Sequence, residues 1–178
     1  PDGQRGLILS YKVREKILKN KIARLFDELN KSVLVNKTPI KGDPENELNA
    51  KDLQRQYAQI SSYLTREEAE KLSQEFAEIG ISSIQDQSDF VKKLNQQIIT
   101  FLTIDDQNFA ERFAWFYAHI APKIKLYEIS PGESVILRSY TKSGYVKSVP
   151  LKVYGVFTFS GLEDSDIAGA MNLVDLVS

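Results

Sequence analysis

The pattern of hydrophobic and polar positions in the C-terminal part of this chain is typical of β-strands. In the segment 149–161, apolar residues occupy both odd and even positions, as in a strand that is covered on both faces. The segment 130–137 begins with a Pro-Gly turn and continues as a largely apolar run, which predicts a second strand. The polar stretch 140–145 between them contains Gly144. This stretch predicts a hairpin, so we expect the two strands to pair antiparallel.

The N-terminal part combines a strand with a helix. The run 6–9 predicts a short strand, and Ser10 follows it where the N-cap of a helix belongs. Apolar residues then recur at steps of three and four from Val13 to Val33, which predicts one amphipathic helix. The segment 36–46 contains two prolines and a glycine and predicts a loop.

The middle of the chain, from position 48 to 124, has a helical pattern almost throughout. Thr65 and Glu68 have the spacing of a capping box, which predicts the start of a helix at Thr65. Gly80 stands where that helix should end. Pro122 should end the last helix of the block.

Two β-type segments therefore flank a long helical one. We predict an α+β fold in which a small, mostly antiparallel sheet carries a large inserted helical block. The β-rich core should comprise residues 1–19 and 126–178, and the helical insertion residues 20–125.

Composition narrows the class of protein. The chain is 42% hydrophobic and 26% charged, as is usual for globular proteins. Its net charge of −1 gives no electrostatic footprint for nucleic acid. The absence of cysteine excludes disulfides and thiolate zinc sites. No run of about 18 apolar residues and no signal peptide are present, and the start without methionine indicates an excised piece of a longer protein.

The densest aromatic stretch supplies the candidate binding residues. Phe109, Phe113 and Phe116 share one face of the predicted helix, whereas Trp115 falls off that stripe and should lie at its edge or be exposed. One interpretation is the core of a helical bundle with one aromatic residue at its edge. The other is a partner-binding patch formed by these four residues, since exposed aromatic clusters mark interfaces.

No pattern of catalytic residues is present. His119 is the only histidine, and no base–nucleophile pair surrounds it; a locally hydrogen-bonded residue or a pH sensor are its two interpretations. The acidic segment 163–166 lacks the spacing of an EF-hand loop and is interpreted as a solvated loop. We predict no catalytic residue, no metal site and no cofactor, and therefore no enzyme. A hydrolase would need two carboxylates that converge in a cleft.

Two charged helix faces are further candidates for a binding surface. Basic residues crowd the segment 12–24, which suits either a solvated face or contact with a membrane surface or polyanion. Glutamates crowd the helix that begins after Thr65, which suits a solvated face with weak ion pairs.

The order of the strand motifs resembles a known family. The motifs are Gly-Leu-Ile-Leu-Ser at 6–10, Leu-Tyr-Glu-Ile-Ser-Pro-Gly-Glu-Ser-Val-Ile-Leu at 126–137, Leu-Lys-Val-Tyr-Gly-Val-Phe at 151–157, an acidic loop after Ser160-Gly161, and Asn-Leu-Val at 172–174. This order resembles the extracytoplasmic, MacB-like periplasmic core domain of the FtsX/MacB/Lol-type ABC transporter permeases. The helical block 20–125 has no counterpart in that pattern.

The resemblance implies a function without catalysis. It implies a domain on the periplasmic side of a bacterial inner membrane, adjacent to the membrane, within a permease driven by a separate ATPase subunit. It implies a coupling of the ATPase cycle to lipoprotein, peptide or lipid handling, or to an envelope partner. The alternative is a soluble helical protein-interaction or sensor module that is unrelated to transport.

Overall fold

The computed structural model describes residues 5–82, 90–162, 165, 169 and 171–174. The chain divides into two compact units. The β unit comprises Pro1–Lys19 and Tyr127–Ser178, and the helical unit comprises Asn20–Leu126.

Helices and strands together confirm the predicted α+β class. The α-helices are α1 (Tyr11–Val13), α2 (Lys21–Leu29), α3 (Pro44–Arg55), α4 (Tyr57–Tyr63), α5 (Arg66–Glu78), α6 (Phe90–Leu102) and α7 (Phe109–Trp115). Segments of π-helix continue α1 (Arg14–Leu18), α2 (Asn30–Val35) and α7 (Phe116–Ile120), and a 3₁₀ turn follows the last (Ala121–Lys123). The strands are β1 (Arg5–Ser10), β2 (Ser134–Tyr140), β3 (Val146–Phe157) and β4 (Leu173–Val174).

The β unit is built on one sheet with the strand order β2-β3-β1-β4. The β2 and β3 strands form the predicted antiparallel hairpin, and Gly144 in its turn has a φ of 82°, which glycine adopts without strain. The β1 strand lies parallel to β3 and antiparallel to β4. The sheet is therefore mostly antiparallel, as predicted, with one parallel pairing between segments from opposite ends of the chain.

One face of this sheet forms the core of the β unit. Leu7, Leu9, Leu151 and Val153 are buried together, and their register places Leu7 opposite Val153. The prediction that both faces of β3 are covered is wrong for the second face, where Tyr154 is 59% exposed. Apolar residues at both odd and even positions indicate that both faces of a strand could be buried. They do not show whether the chain provides a layer that packs on each face.

The helical unit has its own core, drawn entirely from positions 22 to 124. Its largest fully buried side chains are Phe26, Phe76, Phe101, Phe109, Phe116, Ile22, Leu29, Leu53, Ile60, Leu72, Ile98 and Leu102. None of the described helices is long and apolar enough to cross a bilayer.

The predicted single helix over positions 13–33 is wrong. The backbone becomes extended at Lys19, with a ψ of 140°, and a new helix begins after Asn20. The side chain of Asn20 accepts a hydrogen bond from the Ile22 backbone N–H at 2.9 Å, so Asn20 acts as an N-cap. Continuous apolar spacing across the break concealed this second start signal.

The helix ends predicted at Ser10, Thr65 and Gly80 are confirmed, whereas α3 begins at Pro44, inside the segment 36–46 that was predicted to be a loop. Ser10 accepts a hydrogen bond from the Val13 N–H, and Thr65 and Glu68 form a complete capping box. At the C-terminal end of that helix, Gly80 has a φ of 76°. The N–H of Ile81 reaches the carbonyl of Phe76 at 3.0 Å, which is the hydrogen bond of a Schellman motif.

Candidate partner-binding site

The aromatic segment that begins with α7 contributes side chains to two sides of the helical core. On the first side, Phe116 stacks on Phe26 of α2 with their ring centroids 4.4 Å apart, and Phe109 lies 6.4 Å from the same ring. Phe109 and Phe116 are both 0% exposed. A partner therefore cannot contact these two side chains in this structure, and their role is to hold α7 against α2.

Phe113 lies between the buried core and the surface. Its ring is 6.4 Å from Phe26 and 5.1 Å from Tyr117, and its side chain is half-buried. The hydroxyl of Tyr117 donates a hydrogen bond to a carboxylate oxygen of Asp27 at 2.5 Å, which joins α2 to the segment after α7 by a charge-assisted contact.

Trp115 faces the second side of the core. Its ring lies 5.1 Å from Phe76 of α5 and 4.9 Å from Phe101 of α6. Trp115 thus lies off the stripe of phenylalanines and is partly buried at the edge of the core, as predicted, but its ring packs on a second side of α7 that the sequence did not indicate. We call Phe76, Phe101, Trp115 and His119 the Trp115 stack.

His119 forms the outer layer of the Trp115 stack. Its imidazole lies parallel to the indole of Trp115, with centroids 4.4 Å apart and an interplanar angle of 8°. One side-chain oxygen of Glu75 lies 3.4 Å from Nδ1 of His119 and 2.8 Å from Nζ of Lys123. Lys123 also donates to the backbone carbonyl of His119 at 2.7 Å. Glu75, His119 and Lys123 are the His119 cluster.

The electrostatics of the His119 cluster favour an ionised glutamate. Burial raises the pKa of Glu75, but the hydrogen bond and positive charge of Lys123, together with His119, outweigh burial and lower the pKa below its ordinary value. The side chains of Glu75 and Lys123 are only 15% and 14% exposed, whereas that of His119 is 34% exposed. A partner could thus contact the imidazole of His119 and the edge of the Trp115 indole. The ion pair of Glu75 with Lys123 is less exposed than the imidazole.

A second polar arrangement lies in the β unit, around Tyr127. The guanidinium of Arg14 sits 3.7 Å from the centroid of the Tyr127 ring, in cation–π contact. The Tyr127 hydroxyl donates to Glu15 at 2.8 Å, and the same carboxylate pairs with Lys19 at 2.9 Å. Burial and the bond to Glu15 raise the pKa of Tyr127. These contacts join the two chain segments of the β unit, the first near its last residue, Lys19, and the second at its first residue, Tyr127.

The charged candidates fall into three groups. The basic segment 12–24 does not lie on a single helix, because the backbone is extended at Lys19 and a new helix begins after Asn20. The glutamates of α5 include Glu75, which belongs to the His119 cluster, and Glu70, which pairs with Arg66 at 2.9 Å on the surface. Of the acidic segment 163–166, all residues but Ser165 lie outside the described residues.

The residues that the structure describes form neither a metal-binding site nor a catalytic acid–base site. In those residues, no three side chains of the types that bind metals lie close enough together to hold an ion. The one paired imidazole and carboxylate, His119 with Glu75, has no serine or threonine among the hydrogen-bond partners described for it. The arrangement can support packing and recognition.

Sequence reasoning missed the His119 cluster and the Tyr127 arrangement. The spacing of His119 and Lys123, four positions apart, places them on one helix face and was an available signal. The sequence contains no such signal for Glu75 or Tyr127, because tertiary packing places each of them beside residues that are distant in the chain.

No protein-family model, curated protein or solved structure matches this chain. The resemblance to the permease domain therefore rests on the sequence motifs alone.

Proposed function

We propose that this chain is a non-catalytic extracytoplasmic domain of an ABC transporter permease, on the periplasmic side of a bacterial inner membrane. A separate ATPase subunit drives the permease, and the domain couples that cycle to a lipoprotein, peptide or lipid substrate, or to an envelope protein. The observation that carries the proposal is the pairing of β1 with β3. This pairing places two of the motifs that resemble the family, residues 6–10 and 151–157, side by side in one sheet.

The proposed mechanism is mechanical. Each unit has a close-packed core of its own, and a close-packed core moves as a body and transmits displacement. We place partner specificity in the helical unit, which the family pattern lacks. Of the four aromatic residues predicted to bind a partner, Phe113 and Trp115 retain accessible surface, and Trp115 presents it beside His119.

The test uses the complete reading frame that encodes this chain. We expect membrane helices of about 20 apolar residues each on both sides of it. We also expect the full-length protein, solubilised from membranes, to co-purify with a nucleotide-hydrolysing subunit. A reading frame without membrane helices, or a membrane protein that co-purifies with no ATPase, would contradict the proposal.

The alternative proposal is a soluble helical protein-interaction or sensor module. It is favoured by a cleft of about 370 Å³ in the helical unit, whose apolar lining includes Leu64, Phe90, Val91 and Leu94. Apolar clefts of this size accept small ligands or the side chains of a partner. Binding of a peptide or small molecule to the helical unit, combined with a reading frame that lacks membrane helices, would favour this alternative.

A further inference from the structure

The distal half of the β2–β3 hairpin exposes apolar side chains on both faces of the two-stranded ribbon. Ile136 and Tyr140 are 63% and 76% exposed on one face, and the cross-strand partner of Tyr140, Val146, is also exposed. Leu137 belongs to the opposite face and is half exposed, and Tyr145 in the turn is 75% exposed. Clustered exposed apolar residues of this kind mark a contact surface.

The same hairpin carries positive charge only. From Ser134 to Phe157 the chain contains one arginine and three lysines but no aspartate or glutamate. The side chains of Arg138, Lys142 and Lys147 are exposed, and none of them forms an ion pair with any residue that the structure describes. Since the whole chain has a net charge of −1, this segment is a local concentration of cations.

We propose that the β2–β3 hairpin binds the surface of a bilayer that contains anionic phospholipid. Tyrosine places an apolar ring and a polar hydroxyl at the level of the headgroups, which is where membrane proteins concentrate this residue. Lysine and arginine near an anionic leaflet are attracted to its surface charge. Ile136, Leu137 and Val146 supply the aliphatic surface that enters the boundary between headgroups and acyl chains.

The exposure on two faces favours a bilayer over a protein partner. A protein that packs on a sheet covers one face of it, whereas a hairpin tip inserted into the interfacial layer is surrounded on both. Insertion to the headgroup level, about 5–10 Å, keeps the free edge of β2 in contact with water. Deeper insertion would leave its backbone groups without hydrogen-bond partners.

The aliphatic residues favour lipid over nucleic acid. Single-stranded nucleic acid is bound by aromatic rings on which bases stack, within a basic groove. The aliphatic side chains of Ile136, Leu137 and Val146 offer no ring on which a base could stack. They contribute to the exposed apolar surface alongside the two tyrosines. The proposal concerns a surface that the proposed transport function does not assign, and it stands whether or not this chain belongs to a permease.

The experiment measures co-sedimentation of the purified chain with vesicles of phosphatidylcholine, with and without about one third phosphatidylglycerol. The chain should bind the anionic vesicles, and the binding should weaken as salt is raised. The triple variant R138Q/K142Q/K147Q should lose binding by about 100-fold, since each cation contributes about fivefold. Its matched control, K51Q/K92Q/K125Q, neutralises three exposed lysines of the helical unit and should bind as the parent does.

A second variant tests the depth of insertion. Tyr140→Trp should show a blue-shifted emission, and quenching by brominated lipid, when anionic vesicles are added. The parent chain, whose only tryptophan is the stacked Trp115, should show neither change. Circular dichroism of every variant should match the parent, because all the substituted side chains are exposed.

Several outcomes would overturn the proposal. They are no binding to anionic vesicles, equal binding to neutral ones, or equal losses in the two triple variants. Tighter binding to single-stranded DNA than to vesicles at the same salt concentration would replace it with a nucleic-acid site. A dimer that is lost in the R138Q/K142Q/K147Q variant, without vesicle binding, would replace it with a contact between copies.

Discussion

Glu75 joins three helical segments through one carboxylate, which lies within 4.0 Å of Lys123, His119 and Lys71. Glu75→Gln removes the charge but keeps the size, so it should lower the free energy of unfolding at pH 7 by about 1 kcal/mol. Urea unfolding followed by circular dichroism measures this difference. Lys71→Gln is the control, because the Lys71 side chain is 72% exposed and 4.0 Å from the carboxylate. It should change stability very little.

The same substitution predicts the direction of a pH effect. The pKa of Glu75 is lower in the folded chain than its ordinary value of 4.5. Its contribution to stability is therefore complete above that value and is lost as the pH falls through the folded-state pKa. The difference in stability between the parent and Glu75→Gln should be present at pH 7 and should shrink on acidification below about pH 4. A difference that grows on acidification below about pH 4 would contradict the assigned ion pair.

Trp115 gives a second test at this scale. Since the indole stacks on Phe76 and Phe101 but is only partly buried, Trp115→Ala should lower the free energy of unfolding by about 3 kcal/mol, the lower limit of the range for aromatic residues in a core. If Trp115 served only to bind a partner, the substitution would leave stability almost unchanged, and the packing of the indole argues against that outcome. Trp115→Phe keeps an aromatic ring in the stack and should recover most of the loss. If both variants were as stable as the parent, the stack would not contribute to folding.

At the scale of elements, the capping box of α5 makes a local prediction. The Thr65 hydroxyl accepts from the Glu68 N–H, and the Glu68 carboxylate accepts from the Thr65 N–H at 2.8 Å. Thr65→Ala should destabilise the chain by about 1 kcal/mol. Glu67→Gln, one position from the reciprocal partner and outside the box, should be close to neutral. Equal effects of the two substitutions on the urea midpoint would show that charge, and not the cap, sets the stability of this helix end.

Elements that are specified by local signals were predictable, and those specified by packing were not. Ser10, Thr65, Gly80 and Gly144 each act through hydrogen bonds or backbone angles within a few residues. The break at Lys19 was missed because the apolar spacing continues across it. The start of α3 at Asp43 and Pro44 was missed although an N-cap followed by proline at the first helical position is a start signal.

The candidate site was less predictable than the fold. Phe109, Phe113, Trp115 and Phe116 were identified as an aromatic group, but the sequence could not assign them to two different sides of one helix. That assignment depends on where α2, α5 and α6 lie, which is a tertiary property. The parallel pairing of β1 with β3 was equally hidden, since the sequence predicted the strands and their shared sheet but not the direction in which β1 would run.

At the scale of the whole molecule, each unit keeps its own hydrophobic core. The core cluster of the helical unit lies within positions 22–126 and that of the β unit within 7–18 and 129–174, for the residues that the structure describes. Within the helical unit the first and last residues are joined, because the Asn20 N–H donates to the Leu126 carbonyl at 2.8 Å. Residues 20–126 expressed alone should therefore fold, with a cooperative thermal transition and a helical circular dichroism spectrum. A spectrum of an unfolded chain would refute this prediction.

The same reasoning predicts that the helical unit can be removed. In the β unit, Lys19 and Tyr127 form an antiparallel bridge, and the Glu128 N–H donates to the Leu18 carbonyl at 2.7 Å. Antiparallel partners can be connected by a two-residue turn. Replacing residues 20–126 with Asn-Gly should therefore leave a folded β unit, as judged by its circular dichroism and by dispersed amide resonances. The same replacement with Val153→Ala, which removes a fully buried side chain from the centre of the sheet, should be less stable by about 2 kcal/mol. If the shortened chain does not fold, the β unit needs the helical unit for its structure, and the helical segment is then an integral part of one domain and not an insertion.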